Sequence, residues 1–230
     1  MGRDQMSDRL QQAITVLQTR FGSAAPRPAA PPCPARSSGI AEVDDMTGIG
    51  GWPVGRLSLL AGPRGCGKRT LAQRSVAAAS LTGPVAYVDF PRRLDPEFVN
   101  HFDARLDRLL VVRPKSLKEG MASVRVLARA GVDLICIDLP RTRSAGIDAE
   151  LPHLLHRVAE ADCTLLLIYD AEADDAIRYY ASMILAFQRS AWVFRRDGDL
   201  EGLLVDATVV KNRLAPPGRN CRLLIPYPIP

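Results

Sequence analysis

The sequence predicts an α/β fold, with a mostly parallel sheet flanked by helices, and three features lead to this prediction. Several strand-length segments are almost entirely apolar, which is typical of strands buried on both faces of a parallel sheet. Examples are Leu57–Ala61, Val132–Asp138 and Cys163–Asp170. Segments with helical spacing of apolar residues lie between them. A glycine-rich turn, Gly62–Thr70, joins the first of these strands to a helix.

Length and composition fit one domain with a short appendage. The chain has 230 residues, of which 47% are apolar, and a net charge of +5. A charge excess this small supports DNA binding only weakly. The N-terminus lacks the apolar core of a secretory signal, and no segment is as long and apolar as a membrane span. The five cysteines lack paired metal spacing. We therefore expect reduced thiols, no metal site, no membrane attachment and a cytoplasmic location.

The N-terminal part of the chain is predicted to form an appendage with an N-terminal amphipathic helix. Ser7–Phe21 has helical spacing, a cap at Ser7 and Asp8, and one apolar stripe. The apolar stripe consists of Leu10, Ile14, Leu17 and Phe21. Prolines in Ala24–Arg36 predict an extended linker. Because a short helix is marginally stable alone, its stripe must pack either on its own domain or on a partner.

These patterns divide the chain into a helix (residues 1–23), a proline-rich linker (24–38) and a core domain (39–230). In the core, further strands are predicted at Pro84–Phe90 and Leu109–Val112, and helices at Ser116–Ala130 and Glu150–Glu160. The C-terminal part of the core differs from the rest, because its segments are short and β-rich and are separated by residues typical of turns. These segments, Met183–Phe194, Gly202–Val210 and Cys221–Ile225, predict antiparallel strands along one edge of the sheet.

The glycine-rich turn predicts a site for nucleotide phosphates. In such a turn, backbone N–H groups and the helix N-terminus hold the phosphates, and a lysine reaches the terminal ones. The candidate phosphate-binding residues are Gly62, Gly65, Gly67, Lys68 and Thr70. The full pattern has Ser or Thr directly after the lysine as a magnesium ligand, whereas this chain has Arg69 there. Asp138, at the end of a buried strand, is where nucleotide-binding folds place the acid that orders metal-bound water.

The order of these motifs resembles the RecA family from the N-terminal helix to Ile225. Gly50–Arg56 looks like the Gly-Gly-x-Pro-x-Gly-Arg motif that precedes the first strand in the family. Leu94–Phe98 is similar to the segment on the adenine side of the family's nucleotide site, which implies that Asp95 and Phe98 belong to the nucleotide-binding residues.

Two further segments carry the resemblance and concern contacts between protomers. Thr208–Pro216 resembles a C-terminal strand whose basic residues reach the nucleotide of a neighbouring protomer in a filament. Lys211 and Arg213 are the matching positions, so the resemblance implies this trans contact for them if the protein is oligomeric. The N-terminal helix is similar to the oligomerisation helix of the family. That similarity favours a partner over the chain's own core as the surface that covers the apolar stripe.

The chain departs from the family pattern at three positions that serve ATP hydrolysis. Arg69 replaces the magnesium-ligating threonine, and Pro91 replaces the catalytic glutamate. Asp170 and Ala171 stand where the family has an asparagine and then a glutamine that senses the γ-phosphate. Loss of a general base alone costs roughly 10²–10⁴ in rate. We therefore predict a protein without catalytic residues. Its candidate cofactor is ATP, bound without hydrolysis.

The segments that match the DNA loops of the family, residues 139–149 and 170–178, are short. The second carries four carboxylates and one arginine, which would repel a phosphate backbone. DNA binding is therefore expected to be weak and not to use these loops.

Three functions remain open. Among shortened RecA relatives the chain is most similar to the ImuA group, accessory proteins of a bacterial mutagenic translesion-synthesis complex. That resemblance implies an interaction protein of the SOS response to DNA damage, with RecA and the ImuB-type Y-family polymerase-like subunit as partners. The alternatives are a DNA-stimulated ATPase with a rearranged phosphate site and a cell-division inhibitor similar to the SulA group.

Overall fold

The structure is a computed structural model that describes residues 2–21, 33–139, 145–170 and 175–226. The chain divides into two compact units, Met1–Cys33 and Pro34–Pro230. The core unit therefore includes the last residues of the predicted linker. Ala35–Arg36 (β1) pairs antiparallel with Trp52–Pro53 (β2), and Arg36 Nη2 donates a hydrogen bond to Asp133 Oδ1 over 2.7 Å. These contacts explain why the core begins at residue 34 rather than 39.

The first unit contains the helix α1 (Gly2–Phe21), which begins five residues before the position expected from the sequence. Ser7 lies inside the helix, so the predicted cap at Ser7 and Asp8 is wrong. Ile14 is half-buried and Leu17 is 40% exposed. The side chains of Leu10 and Phe21 lie outside the described part of the chain.

The core unit is an eight-stranded sheet with helices on both faces, which confirms the predicted fold class. Its strands are β3 (Leu57–Ala61), β4 (Val85–Asp89), β5 (Leu109–Val112), β6 (Leu134–Leu139), β7 (Thr164–Tyr169), β8 (Met183–Phe194), β9 (Leu200–Asn212) and β10 (Asn220–Pro226). The strand order is β10-β9-β8-β3-β7-β6-β4-β5. The strands from β8 to β5 in this order run parallel, and β9 and β10 pair antiparallel, as predicted for the C-terminal segments.

The helices of the core unit are α2 (Ala41–Thr47), α3 (Lys68–Ser80), α4 (Pro96–Asn100), α5 (Leu117–Arg129), α6 (Ile147–Glu160) and α7 (Asp175–Tyr180), with one 3₁₀ turn at Leu106–Arg108. One apolar cluster packs α2 and α3 against the sheet, and a second packs α5, α6 and α7 against the other face. All five residues of β3 are buried, because this strand lies between these two layers. None of the helices in the described part of the chain is long and apolar enough to cross a bilayer.

The two tryptophans of the chain lie in contrasting surroundings. Trp52 is completely buried and its indole N–H donates to Ser75 Oγ over 2.9 Å. Trp192 lies on the part of β8 beyond Ala186, which pairs with β9 but not with β3 in the described residues. Half of its surface is exposed, and the guanidinium of Arg189 lies 6.0 Å from the centre of its ring.

Parallel strands bring several polar residues to one edge of the sheet. The glycine-rich turn follows β3, Asp89 ends β4, Asp138 lies near the end of β6, and Asp170 follows β7. Ligand sites of open α/β sheets are found at this carboxyl edge. The topology therefore places the predicted phosphate turn beside three aspartates.

Candidate nucleotide-phosphate site

The glycine-rich turn has the backbone of a phosphate loop and packs tightly against the antiparallel strands. Gly62 has φ 151°, and a Cβ there would lie 2.4 Å from the carbonyl oxygen of Phe187. Gly67 has φ 80° at the N-cap of α3. Only glycine fits both positions without strain or collision. Gly65 is exposed with φ 73°, and Thr70 lies half-buried in the first turn of α3.

Lys68, the lysine expected to reach a phosphate, is held inside the site by three acceptors. Its Nζ donates to the carbonyl oxygens of Gly62 and Pro63 at 2.9 Å each, and lies 2.9 Å from Asp170 Oδ1. Its side chain is only 2% exposed. An ammonium group has three N–H donors. Each of them therefore has a partner within the chain.

Arg69, the residue in the magnesium-ligand position, joins two carboxylates. Its Nε donates to Asp138 Oδ2 over 2.6 Å and its Nη2 to Asp138 Oδ1 over 3.1 Å. The same Nη2 lies 3.2 and 3.1 Å from the two carboxylate oxygens of Asp170. We call Lys68, Arg69, Asp138 and Asp170 the ion cluster. Its two cations and two anions give a net charge of zero.

The environment of the ion cluster shifts the pKa values of its members in different directions. Burial raises the pKa of Asp138, and the hydrogen bond and charge of Arg69 offset this only in part. For Asp170, burial acts in the same direction, but the ion pairs with Lys68 and Arg69 outweigh it and hold the pKa below the usual range. Burial also opposes the charge of Arg69, yet its two carboxylate partners raise its pKa, so it stays charged.

These residues do not fit a magnesium–nucleotide complex as they stand. A nucleotide site needs a free lysine and a metal to balance the phosphate charge. Here Lys68 is fully hydrogen-bonded, and the guanidinium of Arg69 lies against the acids that would face the metal. The sequence patterns single out Lys68, Arg69 and Asp138 but do not reveal Asp170 as the common partner of Lys68 and Arg69. The signal available was the acid directly after an apolar strand, the same signal that pointed to Asp138.

The end of β4 forms a second turn at this edge. Asp89 is completely buried, and its carboxylate accepts hydrogen bonds from the backbone N–H groups of Arg93 and Leu94 at 2.9 and 3.0 Å. Arg92, inside this turn, has φ 56°. Pro91 therefore lies in a turn that Asp89 holds in place, a structural role that the sequence did not reveal. Ala171, the other residue expected to replace a hydrolytic group, lies outside the described residues.

The family described as the RecA N-terminal domain matches residues 9–151. The chain belongs to the RecA family.

Several curated relatives are similar to this RecA-family chain over most of its length. Protein RecA of Treponema denticola is 27% identical over 82% of this chain and 54% of the relative. Protein RecA of Cereibacter sphaeroides is 27% identical, with 95% of this chain and 75% of the relative covered, and that of Marinobacter nauticus is 29% identical, with 97% and 75% covered. The chain thus spans between about half and three quarters of the length of these relatives.

A solved structure shows the same fold. The RadB recombinase superposes with a TM-score of 0.68 at 21% identity, covering 83% of this chain and 96% of that one. Membership of the RecA family is consistent with a role in DNA repair or recombination.

The RecA-family residues expected on the adenine side lie at the start of α4. Asp95 caps this helix by accepting a hydrogen bond from Glu97 N over 3.0 Å. The ring of Phe98 meets that of Phe102 edge-to-face at 5.3 Å, and the guanidinium of Arg74 from α3 lies 5.1 Å from the centre of the Phe102 ring. These contacts connect α4 to the helix that follows the phosphate loop. A contact of Asp95 and Phe98 with a nucleotide base stays a prediction.

The RecA-family motif Lys211-Asn212-Arg213 binds backbone groups of its own chain. Lys211 Nζ donates to the carbonyl oxygens of Arg178 and Tyr179 at 2.5 and 3.1 Å, and Arg213 Nη2 donates to that of Tyr179 at 2.7 Å. We call these two cations the α7 cap, because they lie at the negative end of that helix. The amide of Asn212 donates to Thr47 O over 2.9 Å and so joins β9 to α2. A trans contact of Lys211 and Arg213 with a nucleotide stays a prediction.

Proposed function

We propose that this RecA-family protein is a non-catalytic accessory protein of DNA damage tolerance. It binds RecA and an ImuB-type Y-family polymerase-like subunit in mutagenic translesion synthesis during the SOS response. One observation carries the proposal. The phosphate loop keeps the backbone that joins β3 to α3, while its lysine and its metal-ligand position pair with aspartates of the same chain.

The chemistry of phosphoryl transfer supports a role without hydrolysis. Catalysis of this reaction depends on a metal that neutralises developing charge and on a group that positions or activates water. Arg69 has no oxygen with which to ligate a metal, and Pro91 has no carboxylate. A core with this site still provides a rigid RecA-type scaffold, which is what an interaction protein needs.

The apolar stripe of α1 is the proposed contact with RecA. Ile14 and Leu17 are three residues apart and therefore share one face of the helix. Most of the stability of a helix in a protein comes from packing of its apolar face, so burial of this face against a partner would stabilise α1. Amphipathic helices bind in this way by laying their apolar face into a groove of the partner. Weak DNA contacts, outside the two shortened loops, are compatible with this role.

The partner proposal is tested by a binding measurement with purified RecA and, separately, with the polymerase-like subunit. Full-length protein is compared with the double variant Ile14→Ala/Leu17→Ala and with the control Val16→Ala. Val16 is 64% exposed and lies on a different face of α1. The double variant should weaken RecA binding by about 2 kcal/mol, or roughly 30-fold in Kd, as for central apolar anchors. The control should bind like the unchanged protein.

Equal RecA binding by the double variant and the unchanged protein would contradict the role of the stripe. Binding of neither RecA nor the polymerase-like subunit by the full-length protein would contradict the accessory function itself.

The alternative is a DNA-stimulated ATPase, which the backbone geometry of Gly62 and Gly67 favours. ATP turnover with single-stranded DNA separates the two functions, with Lys68→Ala as the control. Turnover that disappears in the control would favour the enzyme. The retained phosphate loop and the Thr208–Pro216 segment favour both of these functions over a cell-division inhibitor similar to the SulA group.

A further inference from the structure

We propose that Arg69 is a built-in cation that takes the place of a divalent metal in the phosphate site, and that Asp170 closes the site to nucleoside triphosphates by holding Lys68. This inference goes beyond the accessory function proposed above and does not depend on it. It concerns what the site itself can bind.

Two carboxylates, those of Asp138 and Asp170, meet at the guanidinium of Arg69. Asp138 in β6 and Asp170 after β7 come from neighbouring parallel strands, and both lie against one guanidinium at distances from 2.6 to 3.2 Å. Their side chains are 1% and 15% exposed. Two carboxylates that meet in a largely buried site stay ionised together only with a shared counter-charge. Magnesium is commonly bound by one or two carboxylates together with waters. Arg69 provides a positive charge at the point where such an ion would otherwise be needed.

All three N–H donors of Lys68 are bonded within the chain. These donors are bonded to Gly62 O, Pro63 O and Asp170 Oδ1, so a phosphate oxygen can accept a hydrogen bond from Lys68 only if one of these bonds breaks. An incoming phosphate would also lie beside the negative charge of Asp170, and like charges at this range repel. Arg64, which is 63% exposed and 3.8 Å from Asp170, is too hydrated to compensate. The neutral ion cluster therefore has no excess positive charge with which to attract a triphosphate.

Three consequences distinguish this arrangement from an ordinary phosphate loop. The unchanged protein should be stable without nucleotide or metal, and neither should change its melting temperature. Removal of the guanidinium should convert Asp138 and Asp170 into a divalent-cation site. Replacement of Arg69 by a threonine and of Asp170 by its uncharged isostere should free Lys68, restore a metal-ligating hydroxyl and open the site to Mg-ATP.

The test measures thermal unfolding of the full-length protein in EDTA, in millimolar Mg²⁺ or Mn²⁺, and in Mg²⁺ with a non-hydrolysable ATP analogue. Arg69→Ala should melt several degrees lower than the unchanged protein in EDTA and recover a measurable part of that loss with either metal. Arg64→Ala, which removes an exposed arginine of the same loop, is the matched control and should show no metal response. A folded Arg69→Ala protein with no metal response would overturn the first half of the proposal.

The double variant Arg69→Thr/Asp170→Asn tests the second half and also covers the case in which Arg69→Ala fails to fold. It removes one cation and one anion, so the net charge of the site stays zero, and Mg²⁺ in the assay supplies the counter-charge that Asp138 loses with Arg69. A fluorescent ATP analogue with Mg²⁺ should bind it at least about tenfold more tightly than it binds the unchanged protein, a difference of about 1.4 kcal/mol. Equal binding by the two proteins would show that Asp170 does not close the site. Mg-ATP binding by the unchanged protein, with an increase in melting temperature, would show that the site is open.

Discussion

The ion cluster and the α7 cap hold pairs of cations in two different ways. In the ion cluster, Lys68 and Arg69 face carboxylates that are largely removed from solvent. In the α7 cap, Lys211 and Arg213 face backbone carbonyls near the surface. A charge that loses its partner in the first region stays in a poorly solvated environment, whereas in the second it becomes hydrated. The comparison implies that the fold depends on charge pairing in the ion cluster and much less in the α7 cap.

The largest expected effect comes from breaking the ion cluster. Asp138→Ala removes the carboxylate that accepts two hydrogen bonds from Arg69. It should lower the free energy of unfolding by roughly 3–5 kcal/mol, because it leaves a partly buried cation with one remaining partner. Urea denaturation measures the change. Asp107→Ala is the control, since it breaks an exposed pair with Arg105 and should leave the urea midpoint unchanged. Similar losses in both variants would remove the distinction between buried and exposed pairs.

A smaller effect is expected in the α7 cap. Lys211→Met keeps the length of the side chain but removes its charge and its two bonds to the end of α7. The expected loss is about 0.3–1 kcal/mol, the usual contribution of a cation at a helix C-terminus. The same denaturation measurement applies, with Arg196→Met in the exposed turn between β8 and β9 as the control. A loss as large as that of Asp138→Ala would contradict the comparison between the two regions.

The smallest effect is a change in acid sensitivity. Because its ion pairs outweigh burial, the pKa of Asp170 in the folded protein is below its unfolded value. Its contribution to stability is therefore present above the unfolded pKa, about 3.9, and is lost as the pH falls through the folded pKa. The raised pKa of Asp138 acts in the opposite direction, since it contributes stability at low pH that is lost as the pH rises.

Asp170→Asn should therefore lose less stability than the unchanged protein between about pH 5 and pH 2. Free energies of unfolding measured across that range test the expectation. Asp199→Asn, in the exposed hairpin turn, should follow the unchanged protein. If the free energy of unfolding of Asp170→Asn varies with pH as in the unchanged protein, the carboxylate is not held by its ion pairs in solution.

Local patterns in the sequence were sufficient to predict most of the core. Apolar runs such as Leu57–Ala61 and the glycines of the phosphate turn act through neighbours in the chain, so their period and conformation can be recognised directly. The partner of Lys68 could not be recognised in that way. Asp170 lies 102 residues further on, and it meets Lys68 only because β7 is placed next to β3. The order of strands in the sheet, rather than any local pattern, creates the ion cluster.

The same limit applies to two other regions of the chain. The prolines before Arg36 suggested an extended linker to residue 38, but the bond between Arg36 and Asp133 joins positions far apart in the chain and places β1 in the core. The family resemblance implies a contact between protomers for Lys211 and Arg213. Their bonds to the end of α7 depend on where that helix lies beside β9, and the sequence motif alone does not contain that position.

The two tryptophans are intrinsic fluorescence probes of two different regions of the protein. Trp52, enclosed in the core and bonded to Ser75, emits from an apolar environment and reports global unfolding. Trp192, half-exposed on the hairpin, is accessible to a soluble quencher and reports events at the surface. Since the chain contains only these two tryptophans, Trp192→Phe leaves a single emitter for the core. Melting of the core can thus be followed in Trp192→Phe, and exposure of the hairpin by quenching in the unchanged protein, without any added dye.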